Sequence, residues 1–165
     1  MAGPSKATFG ASSGDHVRPA ASADVPALTE IAHEAKRHWG YPEEWIETWG
    51  ELLTLKPQDL AAQDVFIAES AGTVVGFCSV SRQGDSWDVE HMWVHPGHMG
   101  RNVGRTLMVC AIRHISRQGG RVLTIESDPH AEGFYLRLGA RRIGEVPAHM
   151  GTTRRFLPLL ELSIR

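Results

Sequence analysis

The sequence predicts an α/β fold in which one mixed sheet, an α+β arrangement, is flanked by helices in the order β-α-α-β-β-β-α-β-α-β-β. Three observations predict it. Stretches with apolar residues at helical spacing alternate with short runs rich in β-branched and aromatic residues. Glycine-containing turns separate three consecutive strand candidates near the middle of the chain. Residues 87–127 read as strand, helix, strand, a crossover whose two strands should be parallel.

Residues 1–14 are small and polar without periodicity and read as a loose tail, with residues 15–165 as one domain. Residues 16–19 make the first strand. Ser22 or Asp24 can cap the next helix, with Pro26 in its first turn. Leu28, Ile31, Ala32, Ala35 and Trp39 share one face of it, and Gly40 stops it. Pro42, Glu43 and Glu44 open a second helix with acids at its positive end. Its predicted apolar face is Trp45, Trp49, Leu52 and Leu53, and Pro57 ends it.

Residues 65–69 and 73–81 are strands joined by an Ala71-Gly72 hairpin turn, and Gln83-Gly84-Asp85 turns the chain into a strand over 87–94. Residues 100–118 form a helix with a buried stripe of Val103, Leu107, Met108, Ala111, Ile112 and Ile115. Arg101, Arg105, Arg113 and Arg117 face outward. Gly119-Gly120 ends that helix. A strand over 121–127 follows, then a short helix started by Asp128-Pro129 and ended by Gly139, then strands over 141–146 and 155–161.

Composition narrows the function. At 165 residues the chain suits one domain, and 42% apolar with 22% charged residues is a globular profile. No apolar run approaches the roughly 20 residues of a spanning helix, which argues against membrane insertion. The opening MAGPSKATFG lacks an apolar signal core, which argues against secretion. A net charge of −2 gives no basic footprint for nucleic acid. Cys78 and Cys110 are too few for a disulfide framework or a cysteine-based zinc site and read as small core residues, so a reducing, cytoplasmic setting is the expectation. The histidines are scattered, and no metal is expected.

The most informative stretch is Val94-His95-Pro96-Gly97-His98-Met99-Gly100-Arg101-Asn102-Val103-Gly104-Arg105-Thr106-Leu107. A strand leads through a glycine loop into an amphipathic helix, which turns several backbone N–H groups outward at a positive helix end. A pyrophosphate is the natural ligand. Gly100 and Gly104 allow close backbone approach, and Arg101 and Arg105 can add charge to the pyrophosphate or a 3′-phosphate. A Walker loop is excluded because Gly-Lys-Ser/Thr is missing.

Here the sequence resembles the GNAT superfamily of acetyl-coenzyme A-dependent N-acetyltransferases. The family's pyrophosphate motif, Gln/Arg-x-x-Gly-x-Gly/Ala after a strand ending Val-x-Pro, falls on Met99, Gly100, Arg101, Asn102, Val103 and Gly104. Met99 replaces Gln/Arg, and Asn102 replaces the first glycine. Its second motif, Asn-x-x-Ala-x-x-apolar-Tyr, falls on Asp128, Ala131, Phe134 and Tyr135, with Asp in place of Asn. The resemblance spans residues 16–164, element order included. It implies acetyl-CoA bound by residues 99–106, by Met92, Trp93 and Val94, and by Asp128, Ala131, Phe134 and Tyr135. A main-chain N–H among residues 92–94 would meet the oxyanion, and the pantetheine arm would bond where the two parallel strands splay.

The resemblance also implies direct acetyl transfer from the thioester to an amine, which must lose a proton to attack. Asp88, Glu90, Met92 and Val94 alternate onto one face of the strand that carries the base in many family members. Glu90, expected inside the sheet as a buried carboxylate, is the first candidate base, followed by Asp88 and Glu126, while His91 should point to the opposite face. Tyr135 matches the family's tyrosine that protonates the leaving thiolate. By the same analogy Trp39, Tyr41 and Trp45, together with Glu90, should wall a site for a small-molecule amine. A protein α-amine or lysine acceptor, and a non-catalytic acyl-coenzyme A binding module, are the alternative functions. A homodimer is compatible with the resemblance.

Overall fold

A computed structural model describes residues 15–165, so the tail expected over residues 1–14 lies outside the described residues. Seven strands form one mixed sheet: β1 (Asp15–Pro19), β2 (Asp64–Ser70), β3 (Thr73–Gln83), β4 (Ser86–Val94), β5 (Val122–Glu126), β6 (Arg141–Met150) and β7 (Thr153–Ser163). Their spatial order is β1-β2-β3-β4-β5-β7-β6. Every neighbouring pair is antiparallel except β4 and β5, which are parallel as the crossover requires.

The helices are α1 (Val25–His38), α2 (Glu43–Thr48), α3 (Gly50–Leu53), α4 (Asp59–Ala62), α5 (Val103–Arg117) and α6 (Glu132–Arg137). Two cores result, one on each face of the sheet. On one, Leu28, Ile31 and Ala32 of α1 and Ile46 of α2 pack on Ile67 and Phe77. On the other, Leu107, Met108, Ala111 and Ile115 of α5 pack on Cys78, Val80, Leu123 and Leu160. The predicted α5 stripe is observed, with Val103 and Ile112 half-buried at its edges. None of the described helices is long and apolar enough to cross a membrane.

The second helix differs from expectation. It is split into α2 and α3 around Trp49, and a separate turn, α4, follows Pro57. The Thr48 and Thr54 hydroxyls bond back to the carbonyls of Glu44 and Gly50, at 2.8 and 2.5 Å, and Gly50 favours helix poorly. Ile46 and Leu53 are buried and Trp49 packs half-buried against the same core, while Leu52 is 74% exposed. Asp24 does not bond to the start of α1 either. Its carboxylate accepts from Ala21 N at 2.7 Å and is clamped by Arg18. Asp128 likewise sits ahead of its helix: Oδ1 accepts from His130 N at 2.9 Å, and α6 begins only at Glu132.

Two irregularities of β4 position the site. The first is its register with β3. Ser79 faces His91 and Val80 faces Val89, so Glu90 is an extra residue in a β-bulge. The second is its pairing with β5, which is confined to Trp87 with Leu123 and Asp88 with Thr124. Beyond these two pairs the strands part.

Candidate functional site

Two cavities meet where β4 and β5 part. The first, about 520 Å³, runs from the glycine loop to α6. It is lined by Met92, Trp93, Val94, Met99, Gly100, Asn102, Val103, Gly104, Arg105, Ala131, Phe134 and Tyr135, all expected from the sequence. Ala35, Trp39, His98, His130, Arg137 and Leu138 line it as well, and sequence reasoning missed them in this role. Arg101 and Thr106 face a third cavity beside the loop, shared with Asp15, His16 and Glu69, and Arg105 lines both.

The loop geometry follows from two residues with positive φ, Gly100 at +77° and Asn102 at +63°. Asn tolerates this conformation better than most side chains, so its replacement of the family glycine keeps the turn before α5. Gly104 serves packing. A Cβ there would meet Phe134 and Met92 at 3.1 and 3.2 Å, so α5 draws close to both only because the position is bare. His98 Nδ1 is buried beside the loop without a hydrogen-bond partner among the described residues. Outward amides, flanking arginines and an unpaired imidazole nitrogen fit the phosphates of a coenzyme A.

The second cavity, about 440 Å³, lies on the α1 side, lined by Lys36, Trp39, Trp49, Glu90, His91, Glu126, Asp128, His149 and Arg155 among others. Trp39, Met92, Trp93, Ala131 and Tyr135 belong to both cavities and form the partition between them.

The bulge changes how β4 presents its side chains. Strict alternation puts Glu90 with Met92 and turns His91 away. Instead Val89 and Met92 pack with the α5 core, while Glu90 accepts from Ser81 Oγ at 2.5 Å and His91 lies against Phe77 of the α1-side core. Glu90 and His91 are therefore neighbours on the cavity side. Glu90 is not the buried carboxylate expected: it is exposed at the rim. Burial pushes His91 below its usual value, only partly offset by Glu90 and Asp59, so the ring is neutral. Trp93 Nε1 donates to His91 Nδ1 at 3.2 Å, which leaves the proton on Nε2.

Asp88 does not line either cavity. It pairs across to Ser81 and Thr124, and burial together with the Glu90 charge raises its carboxyl. Glu126 lines the second cavity from the end of β5. Tyr135 is buried at 5% exposure, and desolvation holds its phenol protonated.

Asp128, expected in the cofactor groove, lines the second cavity instead. Its Oδ2 lies 2.8 Å from Lys36 Nζ and 3.0 Å from Tyr41 Oη, and Oδ1 meets His130 Nδ1 at 2.9 Å. Burial opposes ionisation of Asp128, but the Lys36 charge and the hydrogen bonds from Lys36 and His130 outweigh it and hold the carboxyl below its usual value. Lys36 Nζ sits over the rings of Trp49, Tyr41 and Trp93 at 4.1, 4.6 and 5.4 Å. Of the three expected wall aromatics only Trp39 lines the cavity. Tyr41 stands behind it holding Asp128, and Trp45 stacks on Tyr41 at 6.0 Å. No group of three or more His, Cys, Asp or Glu side chains that could hold a metal occurs among the described residues.

Comparison with known proteins agrees with this geometry. The acetyltransferase (GNAT) domain family matches residues 40–153. An L-methionine sulfoximine/L-methionine sulfone acetyltransferase of Salmonella typhimurium is 32% identical over 78% of this chain and 84% of its own. The L-amino acid N-acyltransferase MnaT of Escherichia coli is 29% identical over 70% of this chain and 72% of its own. Among solved structures, a PaiA N-acetyltransferase from Thermoplasma acidophilum in complex with coenzyme A superposes with a TM-score of 0.76 at 18% identity. That match covers 90% of this chain and 98% of the other. With the glycine loop, the parted β4 and β5 and the tyrosine between two cavities in place, the chain belongs to the GNAT acetyltransferase family and is an acyltransferase.

Proposed function

We propose that the protein transfers an acetyl group from acetyl-CoA to the primary amine of a small molecule, by direct attack with both reactants bound. The observation that carries this reading is the position of Tyr135, which lines the cofactor cavity and the acceptor cavity together. Residues 99–106, His98 and the β4 segment 92–94 hold the coenzyme, with Phe134 and Ala131 against its arm. Bound acetyl-CoA supplies the thioester carbonyl that the amine attacks.

The chain's own residues handle the protons. Glu90, at the rim and steadied by Ser81, takes the proton of the incoming ammonium, directly or through a water. Tyr135 keeps its proton at neutral pH, delivers it to the departing sulfur and regains one from the adduct nitrogen as the amide forms. A main-chain N–H among residues 92–94 offers a donor to the developing oxyanion. Trp39 and Trp93 close the partition and limit water at the point of transfer.

A 440 Å³ cavity walled by Trp39 and Trp49 has the size of a small-molecule site, which favours such an acceptor over a protein chain laid in an open groove. Free Cys78 and Cys110 are in keeping with a cytoplasmic setting. Thiol release from acetyl-CoA, measured against a broad panel of amines and amino acids, tests the reading. Release with one class of small amine is the expected result. Cofactor binding without release for any amine overturns it in favour of an acyl-CoA binding module.

A further inference from the structure

Arg155 of β7 lines the acceptor cavity, and among the described residues it has no carboxylate within ion-pair distance. Its guanidinium lies over the rings of Tyr41, Trp45 and Trp49 at 5.3, 5.6 and 5.3 Å. One NH2 group donates to Tyr41 Oη at 3.0 Å. The aromatic rings of the α1–α2 region thus fix the orientation of this cation without neutralising it.

The nearby charges do not neutralise it either. Asp128 is the carboxylate that Tyr41 links to Arg155. It is committed to Lys36 at 2.8 Å and to His130, with Tyr41 as a neutral bridge between Asp128 and Arg155. Two cations, Lys36 and Arg155, therefore share one anion, and the β7 wall keeps an excess positive charge. The β4 and β5 rim has the opposite sign, with Glu90 and Glu126 both lining the cavity. A cavity lined by a fixed guanidinium and by two carboxylates is complementary to a molecule that carries an anion and an ammonium.

We infer that Arg155 binds the carboxylate of the acceptor, so that the substrate is an amino acid whose ammonium faces Glu90. This rests on the acetyl-transfer reading above and names the acceptor class for it. A planar carboxylate matches the guanidinium fork, and the Tyr41 bond leaves the other donors of Arg155 for it. The partition at Tyr135 places the acceptor amine next to the cofactor cavity.

The test compares L-amino acids, L-methionine sulfone included, with their carboxamides, which keep the amine and lose the anion. Thiol release gives kcat/KM for each pair, and ligand-observed NMR on the coenzyme A-loaded protein gives binding without turnover. The wild type should favour the acid by about 10²-fold, the scale of a desolvated charge-assisted pair. In Arg155→Gln that preference should shrink to within a few-fold of unity, chiefly through KM. Arg155→Lys, which keeps the charge and loses the fork, should fall between. Equal use of acid and carboxamide by the wild type overturns the inference, as does a preference that survives in Arg155→Gln. If Arg155→Gln fails to fold by thermal melting, the wild-type ratio and Arg155→Lys decide. Arg155-dependent binding of the acid without thiol release defeats the transfer reading and leaves the carboxylate site standing. Turnover of carboxamides as fast as acids does the reverse, and neither binding nor turnover defeats both.

Discussion

Lys36 Nζ and Asp128 Oδ2 lie 2.8 Å apart with side chains only 10% and 9% exposed, across 92 residues of sequence. Asp128 stands where the family pattern has Asn, so the departure comes with its own counter-charge on α1.

The first prediction reverses the usual expectation for a substitution toward a family pattern. Asp128→Asn should destabilise the fold by about 3 kcal/mol, because it leaves the Lys36 ammonium buried without an anion. Lys36→Met in the same background should recover much of that loss, and a double-mutant cycle by chemical denaturation measures the coupling. The pH dependence follows from the lowered carboxyl. Unfolded Asp titrates near ~3.9 and the folded group lower. The contribution of Asp128 is therefore fully present above its unfolded value and is lost as the pH falls through the folded one. Asp128→Asn should flatten the acid limb of stability measured against pH.

The second concerns Glu90. Glu90→Gln should lower kcat/KM by about 10²-fold, the low end of what a positioned base contributes, and most at low pH, where the amine is hardest to deprotonate. Coenzyme A affinity by calorimetry should stay nearly unchanged. If Asp88→Asn or Glu126→Gln gives this pattern and Glu90→Gln does not, the base lies elsewhere.

The third concerns Tyr135. Tyr135→Phe keeps the ring between the two cavities and removes the proton donor. A roughly 10²-fold fall in kcat with little change in cofactor binding is expected, because the proton matters only as the carbon–sulfur bond breaks. Wild-type kcat at every pH would make Tyr135 a packing residue.

The fourth concerns Gly104. A side chain there meets Phe134 and Met92 before it meets any ligand, so Gly104→Val should push α5 and α6 apart and widen the cofactor groove. Calorimetry should show strongly weakened coenzyme A binding. Gly100→Ala acts differently: no atom lies within 4 Å of its Cβ, so the strain comes from φ alone.

What could be read in advance was local. The glycine loop, α5 with its stripe, and the 87–127 crossover each depend on residues close in sequence, and the helical period of α5 survives folding unchanged. The Ala71-Gly72 turn was legible for the same reason, and both residues take positive φ. The bulge at Glu90 was not, because it is set by the pairing of Ser79 and Val80 with β4 and leaves no mark in the spacing of Asp88, Glu90 and Met92. One extra residue reversed the expected face of His91. Lys36 and Arg155 were equally hidden. In the sequence they are a helix cation and a strand cation, and only tertiary contact brings them to one cavity through Asp128 and Tyr41. The broken second helix belongs with these, since the core reached by Ile46 and Leu53 decides its phase against the propensity of the run.

The parting of β4 from β5 after Trp87 and Asp88 gives the sheet a seam in its middle rather than at its margin. In an ordinary sheet the central strands hold their amide protons longest and the outer ones exchange first. Here the β4 amides that point into the seam should exchange with solvent early, although β3 still covers the opposite edge of the strand. A ligand arm that bonds along β4 acts as a borrowed strand and mends the seam. Binding should then slow exchange at the centre of the molecule and leave β1 and β6 at its margins unaltered, so the strand gap makes the protein's most protected region a function of its cofactor.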